Sequence, residues 1–575
     1  MLCIAPAILQ AQEKSPPDPA NFTVLSQSQV VASDNPTASA VGAAILQQGG
    51  SAADAGVATL LTLGVVHPFA SGIGGGGFCL HRDAASGKVE ALDFRETAPG
   101  LASRDMYLDK KGKAQGDLSR YGGLAVATPG EPAGLAALHA RHGKLPWYDV
   151  VNPVYRLAKD GFYVGELLPQ RLESKSSRLE DLPEFGTAFA SPRDAARYVE
   201  PFELLKRPDL ARTLELYRDS GAKPFYEGEI ARAIVETVKV SGGILSLEDL
   251  KAYQVSWREP LHGTYRDIYD LYTMPSPSSG GMVTLEVLNV LEGFDLGSLG
   301  YGAKSIHLIV EAMKHAFADR AEWMGDADFV KVPVEALISK ERAKKVQKKI
   351  QPDKTGKLKD YGMKKPPKDD DGTTHISIID ASGNMLACTS TVNTSFGSLV
   401  YVPSWGIILN NEMDDFSAQP GVPNAFGLVG TEQNAIAPGK RPLSSMSPTL
   451  VLKNKKPFLI TGGSGGPTII TGVIMSIVRL IDFAQSPSEA VFGSRIHHQW
   501  LPEKLFFEGS EGGEIEKELE KLGHSVQVRT SYNSVQIIAI DDDGIKTGVS
   551  DPRKLGRPAS SQPIASPSTP EPKEQ

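Results

Sequence analysis

The chain has few cysteines for its length. Among its 575 residues only Cys3, Cys79 and Cys388 are cysteine, a number that is odd and too small for a disulfide scaffold. Cys79, in Gly-Phe-Cys-Leu, and Cys388, in a predicted strand, are therefore expected to be buried apolar residues without a redox role.

An excess of positive charge is also lacking. The 60 Lys and Arg residues are outnumbered by 68 Asp and Glu residues, which gives a formal net charge of −8 and a pI near 5.9. A nucleic acid or an anionic membrane surface would require a basic face, so neither is an expected partner. The hydrophobic content of 41% and charged content of 22% are ordinary for a globular protein, which favours small-molecule chemistry.

Long apolar runs are absent as well, and no segment is apolar enough to predict a membrane span. The first twelve residues, Met-Leu-Cys-Ile-Ala-Pro-Ala-Ile-Leu-Gln-Ala-Gln, resemble the end of a signal peptide, but no basic segment precedes the apolar part. Residues 1–24 are either a signal peptide remnant with its linker or a disordered tail. The first interpretation predicts a periplasmic or secreted protein.

The chemistry is expected at a predicted β-hairpin. Polar and apolar residues mostly alternate from Thr374 to Asp380, which is typical of a half-buried strand; the turn cluster Ala-Ser-Gly-Asn follows, and a second strand begins at Met385. If Asp380 pairs near Met385, Thr391 lies opposite Thr374 and beside Thr373. Two hydroxyl groups would then meet at one end of the hairpin.

A threonine hydroxyl is a weak nucleophile unless a base adjoins it, and the α-amine of the same threonine, with a pKa of about 7.7–8.0, is such a base. For Thr373 this requires a cut between Gly372 and Thr373, with the Thr373 hydroxyl attacking the preceding carbonyl. Gly372 has no side chain and can adopt a strained turn. Taken alone, however, two threonines are ordinary in a strand, because threonine has high β-propensity.

Several longer motifs favour the interpretation of Thr373 as a nucleophile over that of an ordinary strand residue. They are Asp93-Phe94-Arg95-Glu96-Thr97-Ala98-Pro99, Pro277-Ser278-Ser279-Gly280-Gly281, Asn410-Asn411-Glu412-Met413-Asp414-Asp415-Phe416-Ser417, Lys440 to Thr449, Thr461 to Gly466, and Asp551-Pro552-Arg553. In this order they resemble the γ-glutamyltranspeptidase (glutathione hydrolase) family over roughly residues 25–555, and such a series is far more specific than one short pattern.

The resemblance implies the fold of the N-terminal nucleophile (Ntn) hydrolases, an α+β αββα sandwich of two stacked antiparallel sheets covered by helices. It also implies self-cleavage into a large subunit, residues 25–372, and a small catalytic subunit, residues 373–575, which remain together as a heterodimer. Residues 556–575 are expected to be a disordered tail. The lysine-rich residues 338–371 are expected to form a solvated connector that lets the new chain ends separate.

The resemblance further implies the site residues. The catalytic group comprises Thr373 as nucleophile, Thr391 as its hydrogen-bond partner, and the amides of Gly465 and Gly466, at a predicted helix N-terminus, as oxyanion hole. The α-carboxylate of the donor is expected at Arg95, Ser444 and Ser445, and its α-ammonium at Asn393, Glu412 and Asp415. The expected donor is glutathione or another γ-glutamyl compound, such as a poly-γ-glutamate chain, and the acceptor is water, an amino acid or a peptide. No metal or cofactor is implied.

A serine mechanism is the main alternative. Gly-Gly-Ser-Gly-Gly around Ser464 fits the G-x-S-x-G nucleophile elbow of α/β-hydrolases, with a predicted strand before it and a predicted helix after it. His497 or His498 would be the base, but the acid candidates, Asp482 and Glu489, both fall in helical segments, so the threonine hypothesis is preferred. A third hypothesis, a binding protein without chemistry, conflicts with the presence of every matched catalytic position.

Three further patterns have simpler interpretations. The glycine run from Ser71 to Phe78 lacks the Lys-Ser/Thr of a phosphate-binding P-loop and predicts close-packed backbone next to a ligand. His307, Glu311 and His315 recur on one helical face and could bind a metal, but the family has a packing helix there. Residues 419–427 resemble the lid loop of bacterial members, with Phe426 where tyrosine is more usual.

Hydrophobic periodicity predicts that residues 131–336 are mainly helical. Two packed helices are expected within residues 37–66, and further helices at residues 134–142, 148–159, 228–239, 283–291, 306–323 and, after a strand at 458–461, at 467–483.

Overall fold

The structure is a computed structural model that describes residues 17–361, 372–419, 431–509, 512–529 and 533–564. Its strands are β1 Thr23–Ser26, β2 Val30–Ser33, β3 Gly76–Arg82, β4 Val89–Phe94, β5 Phe162–Tyr163, β6 Leu204–Leu205, β7 Ser256–Arg258, β8 Leu261–Tyr265, β9 Tyr269–Thr273, β10 Gly372–Ile379, β11 Met385–Asn393, β12 Tyr401–Val402, β13 Ile407–Ile408, β14 Thr449–Lys453, β15 Lys456–Ser464, β16 Ile496–His497, β17 Leu505–Phe507, β18 Val526–Val528, β19 Ser534–Ile540, β20 Lys546–Ser550 and β21 Pro563–Ile564.

Its α-helices are α1 Pro36–Gln47, α2 Ala52–Val66, α3 Gly116–Arg120, α4 Glu131–His142, α5 Trp147–Asp160, α6 Leu167–Ser174, α7 Ser176–Leu179, α8 Pro183–Ala188, α9 Pro208–Ser220, α10 Lys223–Glu227, α11 Glu229–Val240, α12 Leu247–Ala252, α13 Gly280–Leu291, α14 Leu296–Leu299, α15 Ala303–Trp323, α16 Val334–Leu337, α17 Lys340–Gln347, α18 Thr468–Ile481, α19 Pro487–Phe492 and α20 Glu514–Lys521. The predicted helices are confirmed, with bounds that differ by a few residues. Within the described ranges, no helix has the length and apolar character needed to cross a membrane.

Two antiparallel sheets form the centre of the molecule. In the described residues one has the order β2-β10-β11-β3-β4-β7 and the other β21-β1-β20-β19-β15-β14-β9-β8. They stack face to face through an apolar layer that includes Phe78, Leu80 and Ile379 from the first sheet and Ile460 and Ile538 from the second. Helices α1, α2, α4 and α5 cover the outer face of the first sheet, and α13, α15 and α18 cover that of the second. The predicted αββα sandwich is confirmed.

Helices α2, α13 and α18 have few exposed residues because other elements pack around almost their whole length. Helix α2, Ala-Ala-Asp-Ala-Gly-Val-Ala-Thr-Leu-Leu-Thr-Leu-Gly-Val-Val, is buried along almost all of its length. It begins with a capping box: the Ser51 hydroxyl accepts a hydrogen bond from the backbone N–H of Asp54, and the Asp54 carboxylate accepts one from the backbone N–H of Ser51. This fixes the start of the helix that lies against β10 and β11.

The hairpin forms as predicted, but its register is shifted by one residue. Thr391 pairs with Thr373, and Thr374 pairs with Ser390. The expectation of a half-buried strand is wrong, because every residue of β10 is buried between α2 and the second sheet. Its polar face is buried with partners: the His375 ring bonds the Thr389 hydroxyl at 2.8 Å, and Ser377 donates to the Gln536 carbonyl at 3.0 Å.

Three predicted boundaries need correction. Thr23 and Val24, placed in the N-terminal linker, pair with β20 as part of β1. Residues 556–564, placed in a disordered tail, are folded, since Ala559 bridges Val31 and β21 pairs with β1. The part of the connector that the structure describes, 338–361, carries α17, whose Ala343 and Val346 are buried in the core. Residues 1–16, 362–371 and 565–575 lie outside the described residues.

The cysteine prediction is also corrected. Cys79 and Cys388 are buried, as expected, but they form a disulfide. The two residues lie directly opposite each other on β3 and β11, with Cα atoms 4.2 Å apart. Neighbouring antiparallel strands bring paired residues that close, so the register of the sheet creates a bond that cysteine spacing does not predict.

Candidate active site

The hydroxyl groups of Thr373 and Thr391 meet at the start of β10. Their Oγ1 atoms are 3.1 Å apart, and Thr391 Oγ1 also donates to the carbonyl oxygen of Gly372 at 2.6 Å. The backbone N–H of Asn393 donates to Thr391 Oγ1 at 2.8 Å and holds that hydroxyl in place. One hydroxyl therefore contacts both the candidate nucleophile and the carbonyl that precedes it.

Gly372 is required for a steric reason. A Cβ atom at this position would lie 2.4 Å from the carbonyl carbon of Thr394 and 2.6 Å from the oxygen of Asn393, so no side chain fits. The pairing of β10 with β11 shifts between Gly372 and Thr373, which sets the candidate cleavage point at a local irregularity of the strand. The earlier glycine run also packs closely, since a Cβ on Gly75 would lie 2.0 Å from the Thr391 oxygen.

Gly465 and Gly466 form the turn between β15 and α18. Their φ angles are 124° and 55°, values that L side chains rarely adopt. Gly466 lines the same cavity as Thr373, and both amides lie just before the N-terminus of α18, where the helix dipole favours negative charge. The turn is therefore suited to binding a developing oxyanion.

A small cavity joins the predicted residues. Its volume is about 20 Å³, the space of a single water molecule. Nine of the ten predicted catalytic and binding residues line it, the exception being Gly465, and the lining consists of Arg95, Thr373, Thr391, Asn393, Glu412, Asp415, Leu443, Ser444, Ser445, Met446, Gly466 and Ile469. The fold thus collects residues that are more than 370 positions apart in the sequence.

Arg95 is the centre of a buried charge cluster. Its guanidinium lies 2.6 Å from Glu412 and 3.7 Å from Glu96, and it also pairs with Asp415. Burial lowers the pKa of Arg95, but the three carboxylates outweigh burial and raise it. Burial raises the pKa of Glu412, Asp415 and Glu96, while Arg95 acts in the opposite direction. These ion pairs thus join three carboxyl groups to the one guanidinium of Arg95.

The remaining predicted binding residues lie around this cluster. Ser444 and Ser445 are buried in the segment before β14, and Ser444 forms a bridge with Ser278 of the Pro-Ser-Ser-Gly-Gly motif. The Asn393 side chain donates to the Asn411 carbonyl at 2.9 Å, which orders the strand end beside Thr391.

Two residues near the site were missed by sequence reasoning. Arg320, on α15, is buried and donates to Ser279 at 2.8 Å and to Ser445 at 3.4 Å; burial lowers its pKa to about 10 and Asp415 opposes that shift. Lys554 donates to the carbonyl oxygen of Thr373 at 2.6 Å. Lys554 directly follows the matched Asp-Pro-Arg motif, which was the one available signal.

The structure does not assemble the serine alternative. The Ser464 hydroxyl is buried and donates to Asp34 at 3.3 Å, whereas the His497 ring bonds Thr471 and Gln499. Ser464 is thus directed at a carboxylate rather than at an imidazole.

The histidine stripe on α15 is also rearranged by the fold. Among the described residues, His307 and Glu311 come together with His524 and not with His315. His307 bonds His524 and the Gln351 carbonyl, both at 2.7 Å, and Glu311 pairs with Lys314. The hydrogen-bonding atoms of His307 and Glu311 thus already have partners within the protein. The predicted lid residue Phe426, with residues 420–427, lies outside the described residues.

Comparison with known proteins agrees with this geometry. A family model described as Gamma-glutamyltranspeptidase matches residues 38–561. The chain belongs to this family. The glutathione hydrolase proenzyme of Escherichia coli (strain K12) is 42% identical over 528 residues, which cover 92% of this chain and 90% of that protein.

Two solved structures extend the comparison. Cephalosporin acylase from Bacillus halodurans has a TM-score of 0.84 at 28% identity and covers 96% of this chain and 99% of its own. The γ-glutamyltranspeptidase of Helicobacter pylori has a TM-score of 0.54 at 41% identity, covering 56% and 91%. The Ntn-hydrolase fold and the enzyme class, γ-glutamyl transfer or hydrolysis by a self-cleaving proenzyme, are thereby confirmed for this γ-glutamyltranspeptidase family member.

Proposed function

We propose that the protein cuts itself between Gly372 and Thr373 and then breaks γ-glutamyl amide bonds with Thr373 as nucleophile. The observation that carries this proposal is the position of the Thr391 hydroxyl, bonded to the Gly372 carbonyl at 2.6 Å and 3.1 Å from Thr373 Oγ1. One donor thus serves the bond to be cut and the group that attacks it.

Self-cleavage begins with attack of Thr373 Oγ1 on the Gly372 carbonyl carbon. The hydroxyl proton passes to the Thr373 nitrogen as the C–N bond breaks, which leaves an ester to Oγ1 and a free α-amine. Water then hydrolyses the ester, so that Gly372 ends in a carboxylate and Thr373 regains its hydroxyl. The Thr391 donor stabilises the negative charge that develops on the Gly372 oxygen in the first step.

Turnover repeats this chemistry on a substrate. The Thr373 hydroxyl attacks the γ-carbonyl of the donor, its own α-amine accepts the proton, and the Gly465 and Gly466 amides stabilise the oxyanion. The amine product leaves with a proton from the Thr373 ammonium. Water, or the amino group of an amino acid or peptide, then attacks the acyl-enzyme and releases the γ-glutamyl group.

The charge cluster supports a zwitterionic donor group such as the γ-glutamyl end of glutathione. The planar fork of Arg95 suits a bidentate α-carboxylate, with Ser444 and Ser445 as further donors, and Glu412 and Asp415 suit the α-ammonium, beside Asn393. In the free protein Arg95 pairs with these carboxylates. The α-carboxylate of a bound donor takes the place of Glu412 and Asp415 beside Arg95, and its α-ammonium takes the place of Arg95 beside those two carboxylates. No buried charge is then left unpaired.

An exported location, periplasmic or secreted, is part of the proposal. The Cys79–Cys388 disulfide supports it, because disulfides form and persist in oxidising compartments and are rare in the cytosol.

The test is the mass of the purified protein under denaturing and reducing conditions. At about 107 Da per residue, the cut gives fragments of roughly 40 and 22 kDa, less any signal peptide removed, and the small fragment begins Thr-Thr-His-Ile. Thr373→Ala is expected to remain one chain without activity, while Thr374→Ala is cut. An intact wild-type chain with full activity would overturn the threonine mechanism, and loss of turnover in Ser464→Ala without any processing would favour the serine alternative.

A further inference from the structure

Lys554 contacts the residue at which the proposed chemistry takes place. Its Nζ donates to the carbonyl oxygen of Thr373 at 2.6 Å. Both residues are buried, with exposed fractions of 7% for Lys554 and 5% for Thr373. Lysine is almost never fully buried unless it is paired, so the burial of Lys554 must be explained by the turn that carries it and by its partners.

The Asp-Pro-Arg motif presents Lys554 to the site. The Asp551 carboxylate accepts the Arg553 amide at 2.9 Å and starts the 3-10 helix Pro552–Lys554. Arg495 holds the other Asp551 oxygen at 2.6 Å, and Leu555, with a φ of 58°, ends the turn. Lys554 is therefore the last residue of a short turn that is anchored at its start.

Asp34, which follows β2, is the counter-charge of Lys554. Its Oδ2 lies 3.8 Å from Lys554 Nζ, farther than the Thr373 oxygen. Asp34 also accepts hydrogen bonds from Ser534 at 2.8 Å and Gln536 at 2.6 Å. Burial raises the pKa of Asp34, and Lys554 acts in the opposite direction. The carboxylate is thus shared among several donors, while the ammonium lies closest to Thr373.

We propose that Lys554 is a positioning residue for this reaction: it fixes the Thr373 main chain, and its charge keeps the Thr373 α-amine unprotonated after the cut. The inference rests on the proposed function, because it requires a free amine at Thr373. An ordinary α-amine, with a pKa of about 7.7–8.0, is mostly protonated at neutral pH, so only a minor fraction of it can act as a base. A fixed positive charge nearby disfavours the ammonium form.

The other titratable groups near Thr373 do not replace this charge. Burial is the main cause that lowers the pKa of both His375 and His67 to about 3, so both are neutral, and Lys554 contributes to the shift of His67. Asp551 is paired with Arg495 and Arg553. On the cavity side, the charges belong to the cluster of Arg95, Glu96, Glu412 and Asp415, with Arg320 beside it. That cluster is expected to change its pairing when a donor binds, whereas Lys554 stays.

The test compares Lys554→Met, which removes the charge, with Lys554→Arg, which keeps it. Lys314→Met is the matched control, since Lys314 is also buried but pairs with Glu311. On fully cut protein, kcat/KM for a γ-glutamyl amide is measured from about pH 5 to 10. The Thr373 amine is titrated independently by its pH-dependent acetylation with acetic anhydride, followed by mass spectrometry of the small fragment.

In Lys554→Met the acid limb of kcat/KM and the acetylation midpoint are expected to move to higher pH by about one unit, a roughly tenfold loss of kcat/KM on the acid side. Both stay at the wild-type pH in Lys554→Arg and Lys314→Met. An unmoved midpoint in Lys554→Met, with only a lower kcat or Tm, overturns the proposal.

If the Lys554→Met protein is not cut, the proposal is tested with Lys554→Arg alone. Cleavage of the arginine variant with the wild-type midpoint supports the proposal, and an uncut arginine variant or a shifted midpoint overturns it. A wild-type chain that yields no small fragment overturns the proposed function itself, and this is visible before any variant is compared.

Discussion

Thr391 Oγ1 lies 2.6 Å from the carbonyl oxygen of Gly372. This contact exists because the two strands pair with Thr391 directly opposite Thr373, one residue away from the register that the turn sequence favours. In the shifted register the hydroxyl reaches the carbonyl that precedes the proposed nucleophile, so the proposed self-cleavage site is already assembled in the uncut chain.

Replacing this hydroxyl is expected to slow self-cleavage. Thr391→Val keeps the shape of the side chain but removes the donor to the Gly372 carbonyl, so a time course on reducing gels is expected to show cleavage slowed by roughly 10²–10³-fold. Thr391→Ser retains the hydroxyl and is expected to restore most of the rate. Cleavage of the valine variant at the wild-type rate would show that Thr391 does not assist the reaction.

Arg95→Lys is expected to separate substrate binding from self-cleavage. Lysine keeps the charge but loses the bidentate fork, so kcat/KM for a γ-glutamyl amide is expected to fall by about tenfold or more. Cleavage is expected to proceed, because Arg95 contacts Glu412 and Asp415 rather than the cleaved bond. Arg104→Lys, at an exposed arginine, is the control, and unchanged kinetics in Arg95→Lys would assign Arg95 a structural role.

Asp415→Asn is expected to change donor selectivity. γ-Glutamyl and glutaryl groups have the same carbon chain, but only the γ-glutamyl group carries an α-ammonium. A charge-assisted hydrogen bond from this ammonium to the Asp415 carboxylate is worth about 1.5–3 kcal/mol. Turnover of γ-glutamyl donors is expected to fall by about tenfold or more, while glutaryl donors are tolerated better. If Asp415 only stabilises the 3-10 turn Glu412–Asp415, the variant loses stability and the ratio of the two kcat/KM values stays the same.

The disulfide is expected to join the two cleavage products. Cys79 precedes the proposed cut and Cys388 follows it, so alkylated, cut protein is expected to run near its full mass of 61.6 kDa on a non-reducing gel. Reductant is expected to release the fragments, and Cys79→Ala releases them without reductant. Two separate wild-type bands in the absence of reductant would contradict this pairing.

Glu131 is expected to make stability depend on pH. Burial raises its pKa to about 8, against a lowering by the Ser390 hydrogen bond. Between its ordinary pKa and this value the folded state holds a proton that the unfolded state has released, so the free energy of unfolding falls as pH rises, by at most about 1.4 kcal/mol per unit. Glu131→Gln is expected to flatten the dependence of Tm between about pH 5 and 8. An equally steep Tm profile in the variant would exclude Glu131 as its source.

The sequence by itself determined the local elements and the family. Turn residues and alternation located the β10–β11 hairpin, and periodicity located α2 and α15. The ordered motifs identified the γ-glutamyltranspeptidase resemblance and ten candidate site residues, nine of which line one cavity. These signals are local, because each depends on residues within one element or one motif.

Only the tertiary structure decided the contacts between distant segments. The register that sets Thr391 against Thr373, the burial of both faces of β10, the Cys79–Cys388 bond and the approach of Lys554 to Thr373 all depend on how sheets and turns pack. The physical reason is that a buried side chain is satisfied by whatever the fold places opposite it. Spacing along the chain does not specify that partner across a sandwich of two sheets.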